Sequence, residues 1–177
     1  AYGIIAQNNS VPSDNRKDKA TIVIDAENTY VNANYIGDIE DENAVSALLA
    51  MSEGILKVNG NLFAKAPSVI TARGNSIVAI NENNQEKIIQ LDGDINFDYD
   101  QKSSGTKVDS TVIVNLNGSS SYWNGSATAS YGTGSTTDEN MQVTGLKLGL
   151  SNGAQWTPTL TEKYGDDTKG SEGIAIN

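Results

Sequence analysis

Ser46-Ala47-Leu48-Leu49-Ala50-Met51-Ser52-Glu53-Gly54-Ile55-Leu56-Lys57-Val58-Asn59 is followed by a near copy of itself. The copy is Ser68-Val69-Ile70-Thr71-Ala72-Arg73-Gly74-Asn75-Ser76-Ile77-Val78-Ala79-Ile80-Asn81, at a constant offset of 22. Ser46/Ser68, Ala50/Ala72, Ile55/Ile77 and Asn59/Asn81 are identical, as are Asn61/Asn83 two positions on. Leu48/Ile70, Leu56/Val78 and Val58/Ile80 keep apolar character. A period near 22 falls among the short structural repeats. Each unit has an apolar run, a corner of small residues, a second β-branched run ending in Asn, and a Gly or Asn turn. No unit offers the roughly 10 uninterrupted helix formers that a leucine-rich or ankyrin-type repeat needs. Strand, turn, strand, turn at this period predicts an all-β fold, a right-handed parallel β-helix with about 22 residues per coil and loop insertions. Leu56 and Val58 of one coil should then lie against Val78 and Ile80 of the next.

Working outward, Gly3-Ile4-Ile5-Ala6-Gln7-Asn8-Asn9-Ser10 echoes the Ala-x-x-x-(Ser/Gly) corner at Ala50 and Ala72. A polar insertion at 11–19 follows. The pattern resumes at Thr21-Ile22-Val23-Ile24-Asp25, in the place of 56–59. Thr29-Tyr30-Val31-Asn32-Ala33 then answers Leu62-Phe63-Ala64-Lys65-Ala66 as a third side. Three strand positions per coil predict a triangular cross-section, right-handed because parallel crossovers almost always are. Towards the C-terminus, residues 85–93 read as a hairpin-like excursion. Val112, Val114 and Leu116 alternate on one face, and Leu146, Leu148 and Leu150 repeat the pattern, ending in the tight-turn pair Asn152-Gly153. The expected organisation is one domain over 1–177, with regular coils and insertions over 1–100 and longer coils over 101–177. Seven or eight coils are expected in all. The start and stop in mid-strand pattern lead us to expect a piece excised from something longer.

Composition narrows function. With 37% hydrophobic and 6% aromatic residues the chain is lean for a globule, but a thin axial core fed by alternate strand positions tolerates this. Asn, with 20 copies, is the commonest residue and Gly has 17; both accept tight-turn conformations at low cost. A net charge of −10, with only Arg16 and Arg73 as arginines, argues against nucleic acid and anionic membrane partners. The absence of His and Cys removes the usual zinc sites, Ser-His-Asp triads and thiolate nucleophiles.

Two acidic groups deserve weighing. The run Asp38-Ile39-Glu40-Asp41-Glu42-Asn43 lacks the spacing of a calcium loop and reads as a solvated corner. Asp92, Asp94, Asp98 and Asp100 share one strand parity unless Gly93 breaks it. Paired carboxylates there would suit a polysaccharide-cleaving β-helix, but alternation with Ile95, Phe97 and Tyr99 reads as ordinary strand amphipathicity. Trp123, Trp156 and Tyr122 would stack on sugar rings if exposed; packing against coil neighbours is the preferred reading. The glycosylation triplets at Asn8, Asn117 and Asn124 are matches expected by chance in a chain so rich in Asn and Ser. No residue is assigned a catalytic, cofactor-binding or metal-ligating role.

Leu146-Lys147-Leu148-Gly149-Leu150-Ser151-Asn152-Gly153-Ala154-Gln155-Trp156, preceded by Tyr122-Trp123-Asn124-Gly125, resembles the L-x-L-x-x-G-x-x-W and W-x-G rungs of pertactin-like autotransporter passenger domains. The upstream corners followed by Ile-x-Ile-Asn are similar to repeats of large bacterial surface adhesins. The resemblance implies a non-enzymatic β-helical stalk at the cell surface of a Gram-negative bacterium, exported through a C-terminal outer-membrane barrel in the parent chain. This segment would not itself insert in the membrane. It implies host or bacterial surface proteins or glycans as partners, contacted through loops 11–19, 38–43 and 131–140. The alternatives are a polysaccharide lyase or glycoside hydrolase on the same scaffold, and a β-sandwich carbohydrate-binding module.

Overall fold

The computed structural model describes residues 2–8, 19–34, 45–99, 110–131, 143 and 145–159. Among the described residues there are thirteen strands and no helix. In chain order they are β1 (Tyr2–Gln7), β2 (Thr21–Ile24), β3 (Asn28–Asn32), β4 (Ser46–Met51), β5 (Ile55–Val58), β6 (Asn61–Arg73) and β7 (Ile77–Ile80). They continue with β8 (Ile89–Tyr99), β9 (Thr111–Asn117), β10 (Tyr122–Asn124), β11 (Ala127–Tyr131), β12 (Leu146–Ser151) and β13 (Gln155–Thr157). Every pairing among them is parallel.

The strands fall into three rows. The first row is β1, β4, the second half of β6, the second half of β8, and β11. β2, β5, β7, β9 and β12 make the second, a sheet of 5 strands. The third is β3, the first half of β6, the first half of β8, β10 and β13. Because β6 and β8 run on from the third row into the first, those two rows count together as one 8-stranded sheet. In chain order, the described strands visit first, second and third row in that sequence five times.

In the first and second rows the 22-residue offset is the register of the second and third passes, whereas in the third row Leu62 pairs with Ile89, 27 positions on. Ile55 pairs with Ile77, Leu56 with Val78 and Val58 with Ile80, while Ser46 pairs with Ser68, Leu48 with Ile70 and Ala50 with Ala72. Thr29, Tyr30 and Val31 pair with Leu62, Phe63 and Ala64. Elsewhere the offset is longer: Ile77 pairs with Thr111 and Leu146 with Val112, each 34 positions away. Twenty-two residues is the length of a pass with three short strands and tight corners only; longer connections lengthen the rest. The seven or eight passes expected from chain length are therefore five among the described residues. Three of the longer connections, 9–18, 100–109 and 132–142, fall between a first-row strand and the following second-row strand, and 35–44 falls between the third row and the first.

Alternation places the core between the rows. Leu56, Val58, Val78, Ile80, Val112, Val114 and Leu116 are all 0% exposed, and fully burying such a side chain stabilises by about 1.5–3 kcal/mol. Leu146 and Leu148 pack against this column, but Leu150, on the same face, is 48% exposed. β12 is the last strand of its row among the described residues, so nothing described covers Leu150 from beyond.

Corners explain the abundance of Asn and Gly. The pairs Ser52-Glu53, Gly74-Asn75 and Asn152-Gly153 all have positive φ, and each closes a turn in which the second residue after the strand is left-handed. Stacked corners bond to one another, with Ser52 N donating to Arg73 O at 3.2 Å and Glu53 N to Gly74 O at 2.8 Å.

Residues 85–93 do not form the expected hairpin-like excursion. Ile89–Tyr99 is one strand with parallel partners on both sides. β6 bends where the register shifts between Lys65 and Ser68, at Pro67, whose missing N–H makes it suited to a break in the ladder. Directly opposite, Gly93 has φ +134°, and a Cβ there would lie 1.8 Å from Ala66 O. Only Gly lets the two bends nest.

Candidate interaction surface

That bend decides the fate of the aspartates. Asp92 stands before it in the third row, level with Lys65 and Asn124. Asp98 stands after it in the first row, 3.6 Å from Arg73 Nε. Asp94 sits at the corner, 8% exposed, its Oδ1 accepting from Ser126 N at 2.9 Å. The same parity therefore serves two different faces, and Asp100 lies outside the described residues. Among the described residues no group of three or more His, Cys, Asp or Glu is placed to hold a metal ion.

Trp123 is fully buried and Trp156 partly so, packed parallel with ring centroids 5.2 Å apart and planes within 7°. They occupy successive positions of the third row. Each indole N–H donates to a glycine carbonyl, Trp123 to Gly93 at 2.9 Å and Trp156 to Gly125 at 3.0 Å. Burying an indole demands such a partner, and the core reading of the tryptophans holds. Asn117 and Asn124, read above as chance glycosylation triplets, have their amides engaged: Asn117 Nδ2 donates to Asn84 O at 2.8 Å and Asn124 Nδ2 to Asp92 Oδ1 at 2.9 Å.

The outward positions of the three rows differ in chemistry. In the first row, Leu49, Thr71 and Asn96 are stacked in register and only 4–6% exposed. The second row presents Ile55, Ile77 and Ile113 with Lys57 and Lys147; Lys57 is tied to Glu82 at 2.7 Å. The third presents an aromatic and amide column, Tyr30, Phe63, Gln90, Tyr122 and Gln155 in successive register. Beside it runs a polar column, Asn32, Lys65, Asp92, Asn124 and Thr157. Tyr30 stacks on Phe63 at 4.7 Å, planes within 11°, and is 74% exposed. Gln90 Nε2 donates to Ser120 O at 3.0 Å and Tyr122 OH to Asp92 Oδ2 at 3.2 Å. Partial burial raises the Tyr122 phenol above its ordinary 10.0, with the Asp92 charge and this hydrogen bond acting in the same direction.

No protein-family model matches the chain, and no curated protein or solved structure is significantly similar to it. Among the described residues no helix is long and apolar enough to cross a membrane.

Of the loops expected to make contacts, 38–43 lies outside the described residues, as do 11–18 and 132–140. The Tyr30–Phe63 column was not singled out from sequence as a surface, although the match of 29–33 to 62–66 contains it: both aromatics sit at the same step of strands whose neighbours alternate inward.

Proposed function

We propose that the chain is a right-handed parallel β-helix serving as a non-enzymatic stalk segment of a bacterial surface protein, an autotransporter-like passenger whose parent chain carries a C-terminal outer-membrane barrel. The observation that carries the reading is the parallel register at 22 residues, Ile55 on Ile77 and Val58 on Ile80. It supports a coil that rises one strand spacing, about 4.8 Å, per pass, and parallel crossovers are right-handed in nearly all proteins. Five passes span about 20 Å between first and last strand centres, shorter than the 35–40 Å that seven or eight coils would give.

Function in this reading is mechanical and presentational. Stacked ladders stiffen the segment, while insertions enter between rows without altering the register of the strands on either side. The stretches 11–19, 38–43 and 131–140 are the contact surfaces, facing proteins or glycans of host or bacterial surfaces. Nucleic acid is not a partner, given the net charge of −10.

Labelling of intact Gram-negative cells that express the complete reading frame tests the display reading. Antibody raised against the 177-residue chain should bind without permeabilisation, and cells should lose adhesion, but not labelling, when 11–19 and 131–140 are replaced by short turns. Labelling confined to permeabilised cells would overturn the proposal.

A further inference from the structure

We infer that the outward face of the third row is a binding platform for an uncharged polysaccharide, lying across the Tyr30–Phe63 stack and the polar column beside it. The face is built from described strands alone and does not depend on surface display.

Three observations converge on that ligand class. Tyr30 and Phe63 have centroids 4.7 Å apart, about the strand spacing and wider than the roughly 3.5–4.0 Å contact distance of carbon atoms. The rings are therefore offset, and the 74% exposure of Tyr30 includes open ring face. A sugar ring has an apolar C–H face that matches such a surface, while its rim of hydroxyls needs both donors and acceptors. Asn32, exposed on the same strand as Tyr30, supplies both kinds beside the stack, and the exposed Gln155 and Thr157 supply them four strand steps away, about 19 Å along the columns and within the span of a chain ligand.

Charge selects the ligand further. The two columns carry one cation, Lys65, and one anion, Asp92, in adjacent register, so the face is close to neutral although the chain carries −10. An acidic polysaccharide would be repelled by the molecule as a whole and find no cationic cluster here. The other rows differ: Leu49, Thr71 and Asn96 of the first row are buried and Ile5, in the same column, is an exposed aliphatic, while the second row presents isoleucines with Lys57 and Lys147, Lys57 being held by Glu82.

Affinity electrophoresis of the full chain through gels containing a neutral glucan, mannan or galactan tests the inference, with a sulfated polysaccharide as the charged comparison. At least one neutral gel should retard the protein. Tyr30→Ala should weaken that retardation about fivefold or more, in line with the loss of one aromatic contact. Asn32→Ala should weaken it less, and Val23→Ala on the second row should leave it unchanged. Circular dichroism of each variant confirms that the strands persist. Passage through all three neutral gels without retardation would overturn the inference. So would retardation by the sulfated gel alone, or equal retardation of Tyr30→Ala and the parent chain.

Discussion

Glu53 stands where the residue type of its counterpart in the following unit, Asn75, would suit better. Both have positive φ, 65° and 58°, but a left-handed conformation costs an ordinary L residue about 1–2 kcal/mol and costs Gly nothing comparable. Its side chain is exposed, so replacing it removes no core contact. Glu53→Gly should stabilise the protein by about 0.5–1 kcal/mol after the greater freedom of Gly in the unfolded chain is discounted. The melting temperature would rise by about 1–3 °C, and an unchanged or lower value would show that the corner is held by something other than backbone preference. Tyr122 supplies a pH test. Its phenol is raised above 10.0 in the folded state, so the unfolded chain releases this proton first. The stabilising contribution is whole below pH 10 and is lost as pH climbs through the folded value. Phenolate absorbance should show one tyrosine titrating late, and Tyr122→Phe should abolish that late component and flatten the alkaline loss of stability. The corners also show what sequence conceals. Asn75, Asn152 and Gly153 announce a turn by residue type, whereas Ser52-Glu53 adopts the same conformation with its N–H groups donating to the Arg73 and Gly74 carbonyls of the neighbouring corner, a neighbour effect that no local propensity expresses.

At the level of strands, the register of the second and third passes was legible because identical residues mark it at both ends. The rest was harder to read, because 34-residue steps such as Ile77 to Thr111 hide the same geometry behind inserted sequence. Residues 85–93 misled for a related reason: Leu91-Asp92-Gly93-Asp94 has the composition of a reversing turn, but Gly93 is used to nest one bend against another. The third row depends most on Trp123, which fills the interior between Leu91 and Trp156. Trp123→Ala should cost about 3–5 kcal/mol and also leave Gly93 O without its indole donor. Trp123→Phe keeps much of the volume and should cost less. Urea denaturation monitored by circular dichroism separates the cases; near-equal midpoints for the two variants and the parent would remove Trp123 from the core.

For the whole molecule, contacts run chiefly between successive passes, so stability should grow nearly as a sum of units and nearest-neighbour terms. Inserting a second copy of residues 46–67 directly after Pro67 adds one pass whose edges match those on both sides, since Ser46 already stacks on Ser68 and Ile55 on Ile77. The enlarged chain should fold, show more strand signal, and melt no lower than the parent. Collapse of cooperativity or loss of the sheet signal would mean that the passes are not interchangeable. The candidate surface was less legible than the fold, since a binding face is defined by what several distant strands expose together. Tyr30 and Asn32 lie more than 120 positions from Gln155 and Thr157, and only the rows bring them onto one plane.

The hydrogen bonds between passes point along the stacking direction, and this governs how the molecule yields to force. In the proposed β-helix, tension applied between the first and last described strands would load the outermost ladder while inner ones stay shielded, so passes should peel away singly instead of shearing all at once. Freeing the 22-residue unit would lengthen the tether by about 70 Å, and the passes with insertions would give longer extensions. A coil of this kind would absorb stretching in steps and, with its inner ladders intact, would retain a template on which each released pass can wind back.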